Sequence, residues 1–372
     1  MSILLEGLLS FTWQQAMMML IGCALMYLGI KKEYEPTLLV PMGLGTILVN
    51  FPMSGIITQQ STGVEGVLNV LFDAGISTEL FPLLIFIGIG AMIDFGPLLQ
   101  NPFMMLFGAA AQFGIFAVIV VIVLTTNLSL PEAASMGIIA AADGPTSIFV
   151  AGKLAANLLG PITVAAYSYM ALVPIIQPPV IRALTTKKER QIHMKYEPKN
   201  VSKTAKILFP LAITFVAGFT APMSLPLIGF LMFGNLLREC GVLDRLSASA
   251  QNELVNIISI LLGLTISLKM TADEFLNFKT LLIIGFGLLG FVFDTAGGVI
   301  FAKILNIFRK EKINPMVGAA GISAFPMSSR VIQKMATKED PSNFILMHAA
   351  GANVSGQIAS VVAGGLLLSF FM

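Results

Sequence analysis

The residues best suited to chemistry lie in one stretch, Met136–Leu154, which reads MGIIAAADGPTSIFVAGKL. Asp143 is its only acid, followed at once by Gly144 and Pro145 and then by the hydroxyls of Thr146 and Ser147. In a helix interior Gly costs about 1 kcal/mol and Pro about 3 kcal/mol, so Asp-Gly-Pro breaks any helix and frees backbone carbonyls. Inside a membrane such groups are tolerated only where protein or water surrounds them. A carboxylate beside freed carbonyls and hydroxyls is a set of hard oxygen donors, suited to Na+ or H+ rather than to a transition metal. The competing role for Asp143 is to cap the helix that follows.

A second interrupted stretch, NPMVGAAGISAFPMSSRVIQK from Asn314, offers Asn314, Ser323, Ser328 and Ser329 as neutral oxygen donors. Gly318 and Gly321 allow close backbone approach there. Arg330 brings a planar fork that suits a carboxylate, the alternative being an ordinary positive charge near the cytoplasm. The final segment, HAAGANVSGQIAS, sets Asn353, Ser355, Gln357 and Ser360 among small residues, a pattern common in close helix packing. Asn353 is an amide in apolar surroundings and needs partners; with Asp143, Ser323 and Asn314 it is expected to complete an oxygen cage. Tyr167 and Tyr169 follow the first stretch, and Tyr169 is expected to reach the site rather than anchor at the interface. Asp294 is a second intramembrane acid, expected to act as a relay or to pair with Lys303.

Other chemistries are disfavoured. Cys23 and Cys240 have no metal-ligand spacing, and His193 and His348 fit no metal motif. No GxxxxGK[ST] loop is present, so ATP hydrolysis is not expected. Lys269 in Ser267-Leu268-Lys269-Met270 lacks the preceding Met of a biotin-acceptor Met-Lys-Met, so the chain is not expected to carry biotin itself.

These residues must be positioned by membrane spans. The 372 residues are 56% hydrophobic and only 11% charged, against roughly 25% charged in soluble domains. Apolar runs recur along the whole length, the mark of an all-α polytopic membrane protein whose partner is the lipid bilayer and not a nucleic acid. The N-terminus has no basic region before its first apolar run, which argues against a cleaved signal peptide. A basic linker, RALTTKKERQIHMKYEPKNVSKTAK, occupies residues 182–206. The halves on either side match: Pro41–Asn50 resembles Pro226–Asn235, and Gly137, Pro145, Ser147, Lys153 and Ala155 each recur 181 positions later. Most basic positions fall on one side only if each interrupted stretch is a re-entrant hairpin, leaving about five crossings per half. That odd number inverts the repeats. The reading is therefore a first repeat over 1–190 with a hairpin at about 133–157, a cytoplasmic linker at 182–206, and a second repeat over 207–372 with a hairpin at about 314–337. The hairpin tips enter from opposite faces and meet near the midplane, the architecture of ion-coupled carriers. Lys153, Lys269 and Lys279 are the only basic residues left on the outer side.

Four long motifs, AADGPTSIFVAGKLA, NPMVGAAGISAFPMSSRVIQK, HAAGANVSGQIAS and IGIGAMIDFGPLLQNP, resemble the beta subunits of sodium-pumping, biotin-dependent decarboxylases. The resemblance covers nearly the whole chain. It implies a multi-pass subunit of a prokaryotic inner membrane that decarboxylates carboxybiotin, consumes a proton and exports Na+. It implies a soluble carboxyltransferase and biotin-carrier alpha subunit, a small membrane gamma or delta subunit, a homotrimer and an elevator-like motion. It implies Asp143, Tyr169 and Arg330 as catalytic residues, Arg330 as the contact to carboxybiotin, and Asp143, Asn314, Gly318, Ser323 and Asn353 around Na+. The alternative is a Na+-coupled carrier of a small carboxylate that performs no decarboxylation. A passive membrane scaffold leaves the intramembrane Asp-Gly-Pro unexplained.

Overall fold

The computed structural model describes residues 7, 9–33, 35–58, 63–195 and 200–372. The principal helices are α1 (Trp13–Lys32), α2 (Pro36–Val49), α3 (Leu80–Met92), α4 (Met105–Ala111), α5 (Phe113–Thr125), α6 (Leu130–Gly137) and α7 (Gly144–Leu154). They continue as α8 (Leu159–Leu184), α9 (Lys203–Thr220), α10 (Leu225–Glu239), α11 (Val255–Ile266), α12 (Phe278–Phe308), α13 (Met327–Glu339) and α14 (Leu346–Phe371). Apart from one isolated bridge between Thr58 and Glu65, the described residues pair in no sheet.

Local sequence explains the ends of these helices. Thr12 and Gln15 close a reciprocal capping box at the start of α1, and Lys31 and Lys32 complement the dipole in its last turn. Pro36 opens α2 at the first turn, where its missing N–H has no partner to lose. Helix α8 bends by 66° near residue 171, just ahead of Pro174.

Among the described residues six helices are long and apolar enough to cross a membrane, or up to eight if each bent pair counts as one span. The chain is thus a multi-pass membrane protein, with fewer full-length crossings than the ten expected. Helix α2 has 14 residues and α10 has 15, about 21–23 Å against a hydrocarbon core of roughly 30 Å. These are the matching segments Pro41–Asn50 and Pro226–Asn235, and both end in a structural asparagine. Asn50 Nδ2 donates to the Met270 carbonyl at 2.9 Å and its Oδ1 accepts from the Ala272 amide at 3.0 Å. Asn235 Nδ2 donates to the Ile93 carbonyl at 3.0 Å. Each half of the chain therefore holds the end of a helix from the other half.

The interrupted stretches pack in corresponding ways. A methyl group on Gly318 would collide with the Gly298 carbonyl of α12, and one on Gly298 with the Gly318 carbonyl. In the first half, a methyl group on Gly137 would meet the Ile119 side chain and, less closely, the Ile115 carbonyl of α5. Only glycine permits such contact between backbones.

Charge is distributed to two ends. At one end the three lysines left over from the positive-inside pattern all have acidic partners: Lys153 with Glu79 at 2.6 Å, Lys279 with Glu132 at 2.7 Å and Lys269 with Glu274 at 3.4 Å. Lys279 holds the Glu132 carboxyl below the usual glutamate range, Ser129 adding to the effect. At the other end the basic linker is docked rather than free. Arg190 pairs with Glu339 at 2.8 Å, and Lys303 with Glu189 at 3.2 Å, so Lys303 is not the partner of Asp294. His193 meets Asp340 at 2.8 Å, and hydrogen bonds from Ser342, then His193, lower the Asp340 carboxyl to about 2. The linker is also shorter than residues 182–206, because residues 182–184 form the last turn of α8 and residues 203–206 begin α9.

Candidate functional site

The first hairpin breaks where Asp-Gly-Pro demands it. Helix α6 tightens into a 3-10 turn over Ile138–Ala141, Ala142 turns left-handed at φ 53°, and Asp143 is extended at the start of α7. The second hairpin is helical over Met316–Ala319, irregular to Pro326 and helical again in α13. The two breaks touch directly, the Ser323 amide donating to the Ala141 carbonyl at 3.0 Å.

Asp143 lies at this junction and is 3% exposed. Its Oδ1 accepts from the Thr146 amide at 3.3 Å, an ordinary helix cap. Its Oδ2 is far more crowded. It accepts from Thr146 Oγ1 at 2.7 Å, Ser360 Oγ at 2.8 Å, Gln357 Nε2 at 2.9 Å and Ser323 Oγ at 3.5 Å. Donors from α7, the second break and α14 thus converge on one carboxylate oxygen. Three are hydroxyls, which carry acceptor lone pairs as well as a proton and can present oxygen to a cation by rotating. The Ser323 and Ser360 hydroxyls also bond each other.

Gln357 and Ser360 were legible only as a small-residue packing face. Their spacing of three places them on one side of α14, and that was the available signal. Asn353 lies one turn earlier on the same helix. Its Nδ2 donates to the Ile322 carbonyl at 2.7 Å, while its Oδ1 is buried without a partner among the described residues. Asn314 is not brought to Asp143. Its Nδ2 donates to the carbonyls of Arg190 and Ile192 at 2.8 and 3.0 Å and its Oδ1 caps Met316, so it fastens the linker to the second hairpin. Gly318 serves the backbone crossing with α12 described above.

The two tyrosines face different ways. Tyr169 turns away and donates to the Ile284 carbonyl of α12. Tyr167 faces the acid, its ring filling the space beside Gly144. Asp294 is a separate buried acid: its Oδ1 accepts from the Ile115 amide at 3.2 Å where α4 gives way to α5.

A cavity of about 450 Å³ opens beside Asp143, within the usual range for ligand pockets. One wall comes from the hairpins, α8 and α14, and includes Asp143, Tyr167, Ser323, Gln357 and Arg330. The facing wall comes from α2, α3 and α11 and the residues at their ends, among them Glu35 and Gln251. Arg330 is exposed, and its side chain has no partner among the described residues.

A buried carboxylate ringed by hard donors inside a helical bundle, and reached through a cavity, is what a membrane protein that moves a small cation requires. A family profile described as Na+-transporting oxaloacetate decarboxylase beta subunit matches residues 14–371, and the chain belongs to that family. It is 48% identical to the methylmalonyl-CoA decarboxylase subunit beta of Propionigenium modestum, over 95% of this chain and 94% of the relative. It is 47% identical to the glutaconyl-CoA decarboxylase subunit beta of Acidaminococcus fermentans, over 98% and 95% of the two chains. It is 43% identical to the oxaloacetate decarboxylase beta chain of Klebsiella pneumoniae, over 98% and 97%. The protein is accordingly a beta subunit of a decarboxylase that transports Na+, which sets aside the carrier without decarboxylation.

Proposed function

We propose that Asp143 is the alternating Na+ and H+ carrier of this subunit and that Arg330 receives the carboxylate of carboxybiotin in the adjoining cavity. The observation that carries this reading is the convergence of Thr146, Ser323, Gln357 and Ser360 on Asp143 Oδ2, with a guanidinium that has no partner among the described residues lining the same cavity.

Each residue has a physical task. Arg330 neutralises an anionic substrate and orients it, its fork matching two carboxylate oxygens. Loss of CO2 leaves negative charge on the ureido group and consumes a proton, so the cavity needs a cation and a proton donor. Asp143 supplies the proton when Na+ displaces it, and its hydroxyl neighbours rotate from donating to the carboxylate to facing the ion. Tyr167, beside Asp143, excludes water from the carboxylate. Tyr169, Asn314 and Gly318 act at a distance from the ion by holding α8 to α12, the linker to the second hairpin, and the second hairpin to α12. Asn353 fixes the second break through the Ile322 carbonyl, leaving its oxygen available to an ion.

The hairpins, α8 and α14 move together against the α2, α3 and α11 wall, as in an elevator-type carrier built from two inverted repeats. The end bearing the linker faces the cytoplasm of a prokaryotic inner membrane. There the subunit meets a carboxyltransferase and biotin-carrier alpha subunit and, with a small gamma or delta subunit, assembles as a homotrimer. The test is Asp143→Asn in the purified complex, in proteoliposomes. Both Na+-dependent decarboxylation and radioactive sodium uptake should be lost, and survival of both would overturn the assignment.

A further inference from the structure

The cavity wall opposite the hairpins carries a single charged residue, Glu35. Glu35 precedes the first turn of α2, and its carbonyl accepts from the Leu38 and Leu39 amides at 3.1 and 3.0 Å, which fixes its backbone. Its φ is 36°, in the left-handed region where glycine is the low-cost residue. That backbone holds the glutamate side chain at the cavity wall. That side chain has no hydrogen-bond or ion-pair partner among the described residues. Glu35 and Asp143 line the same cavity, together with Tyr167, so the two acids act on a common space.

The charges of that space follow directly. In their ionised forms Asp143 and Glu35 each contribute −1 and Arg330 contributes +1, and the remaining polar lining (Gln251 and Ser259 among it) is neutral. Without Glu35 an ionised Asp143 and Arg330 would cancel, and an approaching Na+ would meet no attraction beyond Asp143 itself. With it the cavity is anionic, and it becomes more so when a carboxylate occupies Arg330. Like charge concentrated between low-dielectric walls raises the local concentration of counter-ions.

We propose that Glu35 is a Na+-recruiting carboxylate. It draws the ion into the cavity from the Arg330 side and passes it to Asp143, while remaining on the wall that does not carry the ion site. This rests on the assignment of Asp143 as the ion carrier and adds a second, fixed acid on its path.

The experiment measures the Na+ dependence of decarboxylation and of radioactive sodium uptake by the whole complex in proteoliposomes. Glu35→Gln should raise the half-saturating Na+ concentration roughly five- to tenfold, with a smaller fall in turnover at saturating Na+. Glu35→Asp should recover part of the affinity. Glu35→Gly, which suits the left-handed backbone, separates charge from fold: it should behave as Glu35→Gln while keeping the thermal stability of the parent. An unchanged half-saturation in Glu35→Gln and Glu35→Gly overturns the inference, as does a loss of turnover at unchanged half-saturation, which would mark a purely structural residue. Asp143→Asn run beside them tells the two assignments apart. If it keeps Na+-coupled activity the ion-carrier reading fails, and if it is inactive while Glu35→Gln is normal only the role of Glu35 fails.

Discussion

Asp143 Oδ2 receives three donors within 3.0 Å, and removing any one of them changes the poise between a carboxylate satisfied by protein and one that binds an ion. Hydrogen bonds to a charged group contribute about 1.5–3 kcal/mol each. Ser360→Ala removes a prospective ion ligand as well as a donor, and half-saturating Na+ should rise about tenfold, read from the Na+ dependence of decarboxylation. Tyr169→Phe should leave that half-saturation within about twofold and lower thermal stability by about 1 kcal/mol, because the hydroxyl it loses is bonded to α12 and not to the ion site. Asp143 could be found from sequence because Asp-Gly-Pro is incompatible with an uninterrupted helix. The choice between Tyr167 and Tyr169 could not, since residues two apart on a helix face opposite sides and only the rotation of α8 decides which meets the acid. Asn314 was misplaced for a similar reason: a buried amide must find partners, but sequence does not say that these are the linker carbonyls.

At the level of the element, each hairpin is fastened to a long helix by a glycine contact, Gly318 to Gly298 of α12 and Gly137 to α5. Gly298→Val inserts side-chain atoms where two backbones already touch, and overpacking of this kind costs about 1–3 kcal/mol. The expected outcome is a lower melting temperature in detergent together with slowed Na+ uptake, since the second break can no longer hold Ser323 against Asp143. The match between the halves at a spacing of 181 residues singled out both interrupted stretches, because their breaks fall beside Pro, Gly and Ser. The short α2 and α10 were visible as apolar runs, but not as helices too short to span alone. Their support comes from contacts across the halves, which leave no local signature.

For the whole molecule, the paired lysines at one end and the docked linker at the other make two chemically different faces. With Cys23 and Cys240 replaced, a single cysteine at Asp273 should react with a membrane-impermeant maleimide from outside intact cells. A single cysteine at Lys338 should react only after permeabilisation, and the reverse result would invert the orientation. The Lys279–Glu132 pair also sets a pH dependence. Lys279 lowers the Glu132 carboxyl, so the tie is fully present above the ordinary glutamate pKa of about 4.3 and is lost as pH falls through the lower folded value. Glu132→Gln should remove about 0.2–1 kcal/mol of stability at pH 7 and nothing once the parent carboxyl is protonated, read from melting temperatures between pH 7 and pH 3. Charge placement made the two faces legible, whereas the acidic partners of Lys153 and Lys279 lie far off in sequence and had no signal.

The reciprocal asparagines add a constraint in time. Asn50 is bonded to the backbone at Met270 and Ala272, 220 and 222 residues further along the chain. At a synthesis rate of about 5–20 residues per second, its partners leave the ribosome roughly 10–40 s after it does. During that interval the first half sits in the membrane with the Asn50 side chain bonded only to the Thr46 carbonyl of its own helix and a short helix unsupported. A chain built this way cannot mature half by half, and a ribosome stalled in the linker would leave a product for quality control rather than a working fragment.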